Sequence, residues 1–296
     1  MTALEKIVIP VAGLGTRVLP ASKAIPKELL PVVDQPVIQY VIEEAVGAGF
    51  KQIILVTSPS KLMIEQHFMQ NAELEQVLES KGKSEILDSV RDILPSDVSI
   101  STVYQNKPLG LGHAVLCAAP LVDGDDFAVS LPDVLVFNED GDHGRDLRIN
   151  VDAFHKNGAA QIMVETVPDD QVNRYGIVDC GDGAFVPGIS RDIAAMVEKP
   201  SLEDAPSNQS IIGRYVLPGQ IMDVLQNTSQ GAGGEIQLTD AMNALIGVYP
   251  MQACSMFGKT YDCGNKLGYL VANVIFGLQH TEIGSDFKNW LNTLEP

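Results

Sequence analysis

The sequence predicts an α/β fold with a mostly parallel sheet covered by helices on both faces, and two observations carry that expectation. Short apolar runs such as Ile7-Val8-Ile9 alternate along the chain with segments whose apolar residues recur at helical spacing. Consecutive parallel strands need crossover connections, and crossovers lay helices on the faces of the sheet. Size agrees: 296 residues, 45% of them hydrophobic, suffice for one large core.

The elements follow in order. Residues 6–11 form the first strand. Residues 37–46 (VIQYVIEEAV) read as a helix that stops near Gly47 and Gly49. Residues 52–57 (QIILVT) are a short apolar strand, and a helix over 60–68 takes Ser60 as its N-cap. Residues 72–94 are polar and helical, a surface helix or helix pair. A strand over 98–105 and a short helix over 112–119 lead to the apolar strand 127–131, which ends at Pro132-Asp133. A polar region spans 138–146. A helix over 150–156 and a strand over 161–166 come next. Further strands are expected over 175–178, 193–197 and 211–217. Helices are expected over 219–226 and 238–246, the latter with Thr239 and Asp240 in its first turn. A late strand spans 251–257, and helices over 267–278 and 286–294 close the chain. There is no internal repeat and no low-complexity linker, so the two halves are expected to share one sheet. In such folds ligands sit beyond the C-terminal ends of the strands.

The formal net charge is −18. A protein so acidic repels nucleic acid and anionic membrane, so neither is expected as a partner. Cys117, Cys180, Cys254 and Cys263 are far apart with no C-x-x-C pair. Structural zinc and a disulfide framework are not expected, and free thiols suit a reducing cytoplasm. The opening six residues are too short and polar for a signal peptide. No apolar run approaches the roughly 18 residues of a membrane span.

Against this acidic background, residues 11–31 (VAGLGTRVLPASKAIPKELLP) are a local exception. They follow the first buried strand directly. A Gly-rich turn there leaves backbone N–H groups free to face a ligand. Arg17, Lys23 and Lys27 make that ligand a polyphosphate. Gly13-x-Gly15 lacks the third glycine of a dinucleotide fingerprint, since position 18 is valine. No Walker A motif occurs either. A lone G-x-G is usually an ordinary turn. Here Pro20, Pro26 and Pro31 disfavour a long helix and hold an extended loop in shape, so that Arg17 and Lys27 can reach one phosphate chain from two sides.

With the segments IPVAGLGTR, KAIPKE, QNKPLGLGHAVLCA, SLPDV, VEKP, GRYVL, GEIQLTDA and YDCGNKLGY, which run nearly end to end, the chain resembles the sugar nucleotidyltransferases, the sugar-1-phosphate pyrophosphorylases. The motifs stand in family order and at family spacing. The resemblance implies a Rossmann-like three-layer α/β/α fold with a central mixed, mostly parallel sheet. It implies one nucleotidyltransferase domain over 1–296, with a nucleotide-binding half (1–150), a sugar-phosphate-binding half (151–262) and C-terminal helices (263–296). It implies UTP and glucose 1-phosphate as substrates, UDP-glucose and pyrophosphate as products, Mg²⁺ as cofactor and a homo-oligomer, dimer or tetramer.

The resemblance also distributes roles, each beside a plainer reading. Asp133 and Asp262 would hold Mg²⁺ with phosphate oxygens and water, a usual arrangement for that ion. Alternatively Pro132-Asp133 is a turn and Asp262 caps the helix that starts near Asn265. Glu198 would bind glucose hydroxyls, and Lys199 would neutralise the sugar phosphate. On an unrelated surface the two would be a solvated pair. Tyr175-Gly176 would let the backbone approach the sugar. Arg214 would support the sugar phosphate, although a core-edge ion pair explains it equally well. Gln105 would pair with the imide edge of uracil through one donor and one acceptor, with Gly110 and Gly112 making room for the base. Ala12, Gly13 and Gly15 would approach the nucleotide from the other side, and Glu28 is a further candidate at the nucleoside end. His113 reads as structural, because nothing in the chain supplies a nucleophile to work with it.

The reaction so implied is a single in-line displacement, assisted by Arg17, Lys27 and Lys199. Three alternatives stand beside it: the same chemistry with dTTP or another sugar 1-phosphate, a non-catalytic regulatory paralogue, and a nicotinamide-binding oxidoreductase. Retention of Arg17, Lys27, Asp133, Glu198, Lys199 and Asp262 argues against the paralogue. The failed glycine fingerprint argues against the oxidoreductase.

Overall fold

The computed structural model describes residues 4–294, apart from the side chain of Ala232. Residues 1–3 of the opening polar segment and residues 295–296 lie outside it. Its strands are β1 (Lys6–Pro10), β2 (Pro31–Val32), β3 (Gln35–Pro36), β4 (Gln52–Thr57), β5 (Ser99–Tyr104), β6 (Phe127–Ser130), β7 (Val134–Phe137), β8 (Ala160–Thr166), β9 (Gly176–Asp179), β10 (Ser190–Asp192), β11 (Ala195–Glu198), β12 (Gln209–Leu217), β13 (Met251–Ser255) and β14 (Lys259–Asp262). Its α-helices are α1 (Val37–Gly47), α2 (Leu62–His67), α3 (Ala72–Ser80), α4 (Ser84–Arg91), α5 (Leu111–Cys117), α6 (Ala119–Val122), α7 (Arg145–Asn157), α8 (Ile221–Asn227), α9 (Leu238–Leu245), α10 (Lys266–Gln279) and α11 (Gly284–Leu291).

One large sheet runs β10-β13-β8-β12-β6-β1-β4-β5, with β9 added beside β12 and β11 beside β9. Strands β5, β4, β1, β6, β8 and β13 all point the same way, because β12 lies antiparallel to both β6 and β8. The sheet is therefore mixed and mostly parallel, and both halves of the sequence contribute to it. Alternate residues of β1 serve opposite layers. Ile7 and Ile9 pack with Ile38, Val41 and Ile42 of α1, Leu147 and Phe154 of α7 and Phe276 of α10. Val8 faces the other layer, with Val115 of α5, Leu225 of α8 and Met242 of α9. All three β1 residues are fully buried, which is why the strand reads as a continuous apolar run.

Several elements differ from the sequence expectation. Ser60 caps nothing: Pro59–Lys61 is a 3₁₀ turn, the Ser60 hydroxyl pairs with Ser58, and α2 begins only at Leu62. Helix α7 begins at Arg145, five residues before the expected start, because its polar first turn has buried work to do. The Asp146 carboxylate accepts from the Phe257 and Gly258 amides at 2.7 and 3.1 Å. That turn ends the late strand at Ser255 and sends the chain back into β14. Strand β14 pairs antiparallel with β7 as a separate ribbon, and neither strand was expected.

Arg214 on β12 is fully buried. Its guanidinium makes two hydrogen bonds to Glu44 of α1, at 2.9 and 2.8 Å, and others to the Leu131 and Val134 carbonyls at 3.0 and 2.5 Å. This corrects its assignment to the sugar phosphate. Its donors are spent inside the core, where they fix the chain on either side of Asp133. Removing one partner strands a buried charge, which costs about 3–5 kcal/mol. Arg214→Met is expected to lower the free energy of urea unfolding by about that amount. The double variant Arg214→Met with Glu44→Leu is expected to recover part of it.

Candidate active site

The loop after β1 contains three 3₁₀ turns, Thr16–Val18, Ala21–Lys23 and Lys27–Leu29. It is pinned from below by Lys61, a residue the sequence reading missed. The almost fully buried Lys61 ammonium donates to the Val11 and Gly13 carbonyls at 2.7 and 2.5 Å and to both Glu28 oxygens at 3.0 and 2.8 Å. Burial pushes Glu28 up and Lys61 down, and each charge opposes the shift of the other. In a trans peptide the N–H points opposite to the preceding carbonyl. With the Val11 and Gly13 carbonyls turned down to Lys61, the Ala12 and Leu14 N–H groups face the other side of the loop. Glu28 is therefore corrected from a nucleotide contact to a support: it is 1% exposed and faces Lys61. The Ser22 hydroxyl closes the loop by donating to the Gly15 carbonyl at 2.7 Å.

Asp133 links β6 to β7, and Asp262 ends β14. The antiparallel register sets Asp262 opposite Val134, and the Cys263 amide donates to the Asp133 carbonyl at 2.7 Å. The ribbon thus brings two carboxylates 129 positions apart in sequence to one point. They converge so closely that a Cβ on Gly264 would lie 2.5 Å from one Asp133 oxygen and 2.7 Å from one Asp262 oxygen. The loop cations meet them there. Lys27 donates to Asp133, and Arg17 lies 3.7 Å from each carboxylate. Burial pushes Asp133 up, but the Lys27 charge and hydrogen bond, with Arg17, hold it below the usual carboxylate range. Asp262 is not the cap of α10. Asn265 fills that role, accepting from the Gly268 amide at 2.8 Å, while Asp262 accepts from the Gly264 amide at 2.7 Å. Among the described residues no group of three or more His, Cys, Asp or Glu could hold a metal by itself. Two hard oxygen donors and a space cleared by glycine fit a cation that completes its shell with ligand oxygens and water.

Glu198 ends β11 opposite Gly176 of β9. Lys199 follows with φ of 47°, a left-handed conformation that costs a non-glycine residue about 1–2 kcal/mol. Successive strand residues point to opposite faces. The left-handed turn breaks that alternation, and the Lys199 ammonium lies 3.2 Å from the Glu198 carboxylate. The Lys199 amide donates to the Tyr175 carbonyl at 3.0 Å. The Thr239 hydroxyl, in the first turn of α9, donates to Glu198 at 2.9 Å and leaves its other oxygen to Lys199. Thr239 was recognised as first-turn but not as a partner of the site. Burial, then the nearby Asp262 carboxylate, pushes the Tyr175 phenol up.

On the far side, the Gln105 amide nitrogen donates to the Gly110 carbonyl at 3.1 Å and sits 3.0 Å from His113 Nδ1. Both amide hydrogens are committed inside the protein, so the expected donor-and-acceptor pairing with a base reduces to the acceptor. The reason offered for Gly110 and Gly112 also changes. A Cβ on Gly110 would lie 2.7 Å from the Ile236 carbonyl and one on Gly112 2.8 Å from it, so these glycines admit the 235–236 segment of the protein itself.

The Nucleotidyl transferase family model matches residues 6–276. The UTP–glucose-1-phosphate uridylyltransferase of Haemophilus influenzae is 50% identical over 290 residues, covering 98% of both chains. The enzyme of that name from Escherichia coli K12 is 50% identical over 291 residues, 98% of this chain and 96% of the relative. Of solved structures, a UTP-bound UGPase from Acinetobacter baumannii superposes with a TM-score of 0.92 at 50% identity, covering 99% of this chain and 100% of that one. A UDP-glucose pyrophosphorylase complexed with UDP-glucose superposes with a TM-score of 0.82 at 36% identity, covering 94% and 100%.

The cleared space at Gly264 yields a prediction. In Gly264→Ala the new methyl forces the two carboxylates apart. Titration of the nucleotide-loaded protein with Mn²⁺ as probe is expected to show affinity weakened roughly 10-fold or more, with the circular dichroism spectrum unchanged.

Proposed function

The chain belongs to the nucleotidyl transferase family, and from that premise we propose how its residues share one reaction: transfer of UMP from UTP to α-D-glucose 1-phosphate, giving UDP-glucose and pyrophosphate. The 1-phosphate oxygen attacks the α-phosphorus in line, and pyrophosphate leaves. The nucleophile is already an anion at neutral pH, so no general base and no covalent enzyme intermediate are required. The obstacles are repulsion between two polyanions and their alignment, and the protein acts on both.

The observation that carries this reading is the convergence of Arg17 and Lys27 on Asp133 and Asp262. Arg17 and Lys27 neutralise the triphosphate and the departing pyrophosphate. Ala12, Gly13 and Gly15 let the loop backbone approach the nucleotide, with the N–H groups of the loop turned away from Lys61. A divalent cation, Mg²⁺ in this reading, is held by Asp133 and Asp262 and supplies charge neutralisation at the phosphate oxygens when bound. Without nucleotide, Lys27 and Arg17 balance those carboxylates. Lys199 binds the sugar phosphate, Glu198 accepts hydrogen bonds from glucose hydroxyls, and Gly176 lets the backbone approach the sugar. Thr239 fixes the Glu198 rotamer. Gln105 offers its oxygen to the imide N–H of uracil, with the carbonyl of Gly110 fixing the amide behind it.

The enzyme works in the cytoplasm as a homo-oligomer. Four free cysteines support a reducing compartment, and no helix among the described residues is long and apolar enough to cross a membrane. Leu267 and Leu270 of α10 and Trp290 of α11 are exposed apolar residues of the closing helices, which supports contact with a second copy.

The reading is tested by pyrophosphate release from UTP and glucose 1-phosphate with Mg²⁺, across a panel of nucleotides and sugar 1-phosphates scored by kcat/KM. UTP with glucose 1-phosphate is expected to score highest, and absence of turnover contradicts the reading. Lys199→Ala is expected to raise KM for glucose 1-phosphate far more than KM for UTP. Equal effects on both would undo that assignment. Asp133→Asn is expected to lose on the order of 10²-fold or more in kcat, with an unchanged circular dichroism spectrum.

A further inference from the structure

Gln105 carries an orientation that its surroundings dictate. The Gly110 carbonyl can only accept a hydrogen bond, so the side-chain atom 3.1 Å away must be the amide nitrogen. The second amide hydrogen points to His113 Nδ1 at 3.0 Å. That nitrogen must then be unprotonated, which places the imidazole hydrogen on Nε2. The Cys117 sulfur lies 3.8 and 4.0 Å from the two ring nitrogens. Gln105 is 8% exposed, and its oxygen makes no hydrogen bond among the described residues. A flipped amide would set that oxygen against the Gly110 carbonyl, and against His113 Nδ1 unless the imidazole moved its hydrogen there.

We propose that His113, together with the Gly110 carbonyl, is a positioning device that locks Gln105 with its oxygen outward and so makes the site selective for pyrimidines that carry an N3–H. The inference rests on the reading that Gln105 meets the base. Uracil and thymine present a donor at N3, and the outward oxygen accepts from it. Cytosine presents a lone pair at N3, which faces that same oxygen. Gln105 in free rotation would serve either base by flipping. The lock removes the flip, because turning the amide breaks two hydrogen bonds, sets its oxygen against the Gly110 carbonyl and demands that the imidazole move its hydrogen from Nε2 to Nδ1. His113 thus acts through Gln105 and never touches substrate. The lock discriminates against cytosine and is neutral between uracil and thymine. A buried polar group left facing the wrong partner is a strong means of rejection.

The test is the ratio of kcat/KM for UTP to that for CTP at saturating glucose 1-phosphate. His113→Phe keeps a ring and removes the acceptor, and the ratio is expected to fall about 10-fold, since one of two locking hydrogen bonds is lost. His113→Asn returns an amide oxygen close to the former position of Nδ1, and the ratio is expected to recover to within about 3-fold of wild type. A wild-type ratio in a folded His113→Phe variant overturns the lock. A second measurement needs no variant: long-range ¹H–¹⁵N spectra of the intact protein are expected to show His113 as the Nε2–H tautomer. A proton on Nδ1 overturns the proposal. Gln105→Leu separates the lock from the reading beneath it. A ratio unchanged in Gln105→Leu means that Gln105 does not read the base, and both ideas fail. A ratio that collapses in Gln105→Leu but holds in His113→Phe leaves the reading standing and removes the lock alone.

Discussion

Asp133 has to remain charged in a nearly buried corner, and much of the site's construction follows from that constraint. A carboxylate withdrawn from water favours its neutral form unless cations stand beside it. Lys27 and Arg17 supply them, and they come from the loop that follows the first strand. The shift leaves Asp133 titrating below an unfolded aspartate. Its pairing therefore stabilises the fold above the ordinary carboxylate range and is lost as the pH falls through the depressed value. The same charges suit the proposed chemistry. In that proposal a polyphosphate would bring its own anions to Lys27 and Arg17, freeing Asp133 and Asp262 for a cation.

Two buried ion pairs keep the parts of this corner in place. Arg214 and Glu44 lie in the core and hold the Leu131 and Val134 carbonyls on either side of Asp133. Lys61 and Glu28 lie beneath the loop and hold the Val11 and Gly13 carbonyls. In both, a buried cation is satisfied partly by a carboxylate and partly by backbone oxygens. Buried pairs of this kind are poor sources of net stability, and positioning is the better account of them. Arg214 and Glu28 were drawn to the substrates by their place in family motifs, and both turn out to act one layer further back.

What could be read from the sequence was local. Apolar periodicity placed the principal strands and most helices, because β1, β4 and β6 are buried on both faces and spell this out in Ile, Leu and Val for β1 and β4 and in Phe, Ala and Val for β6. The cationic loop was legible because three basic residues stand out in so acidic a chain. The β7–β14 ribbon was not, since each strand is short and its partner lies more than a hundred residues away. Asp133 and Asp262 were named as a pair through family resemblance, whereas their register came only from the fold. Lys61 was hidden for a similar reason: nothing around residues 59–61 signals a side chain directed into the core. The resemblance assigned Gln105 to the base, whereas the partners that take its amide hydrogens depend on the turn at Gly110 and on the first turn of α5.

If loop cation and ribbon carboxylate form one charge-balanced unit, they should not contribute independently to catalysis. The most direct measurement is a double-mutant cycle on kcat/KM with Lys27→Met and Asp133→Asn. The account predicts that the double variant loses little more than the worse of the two single variants, a coupling of at least 10-fold. Losses that simply multiply would contradict it and would mean that the two groups act separately.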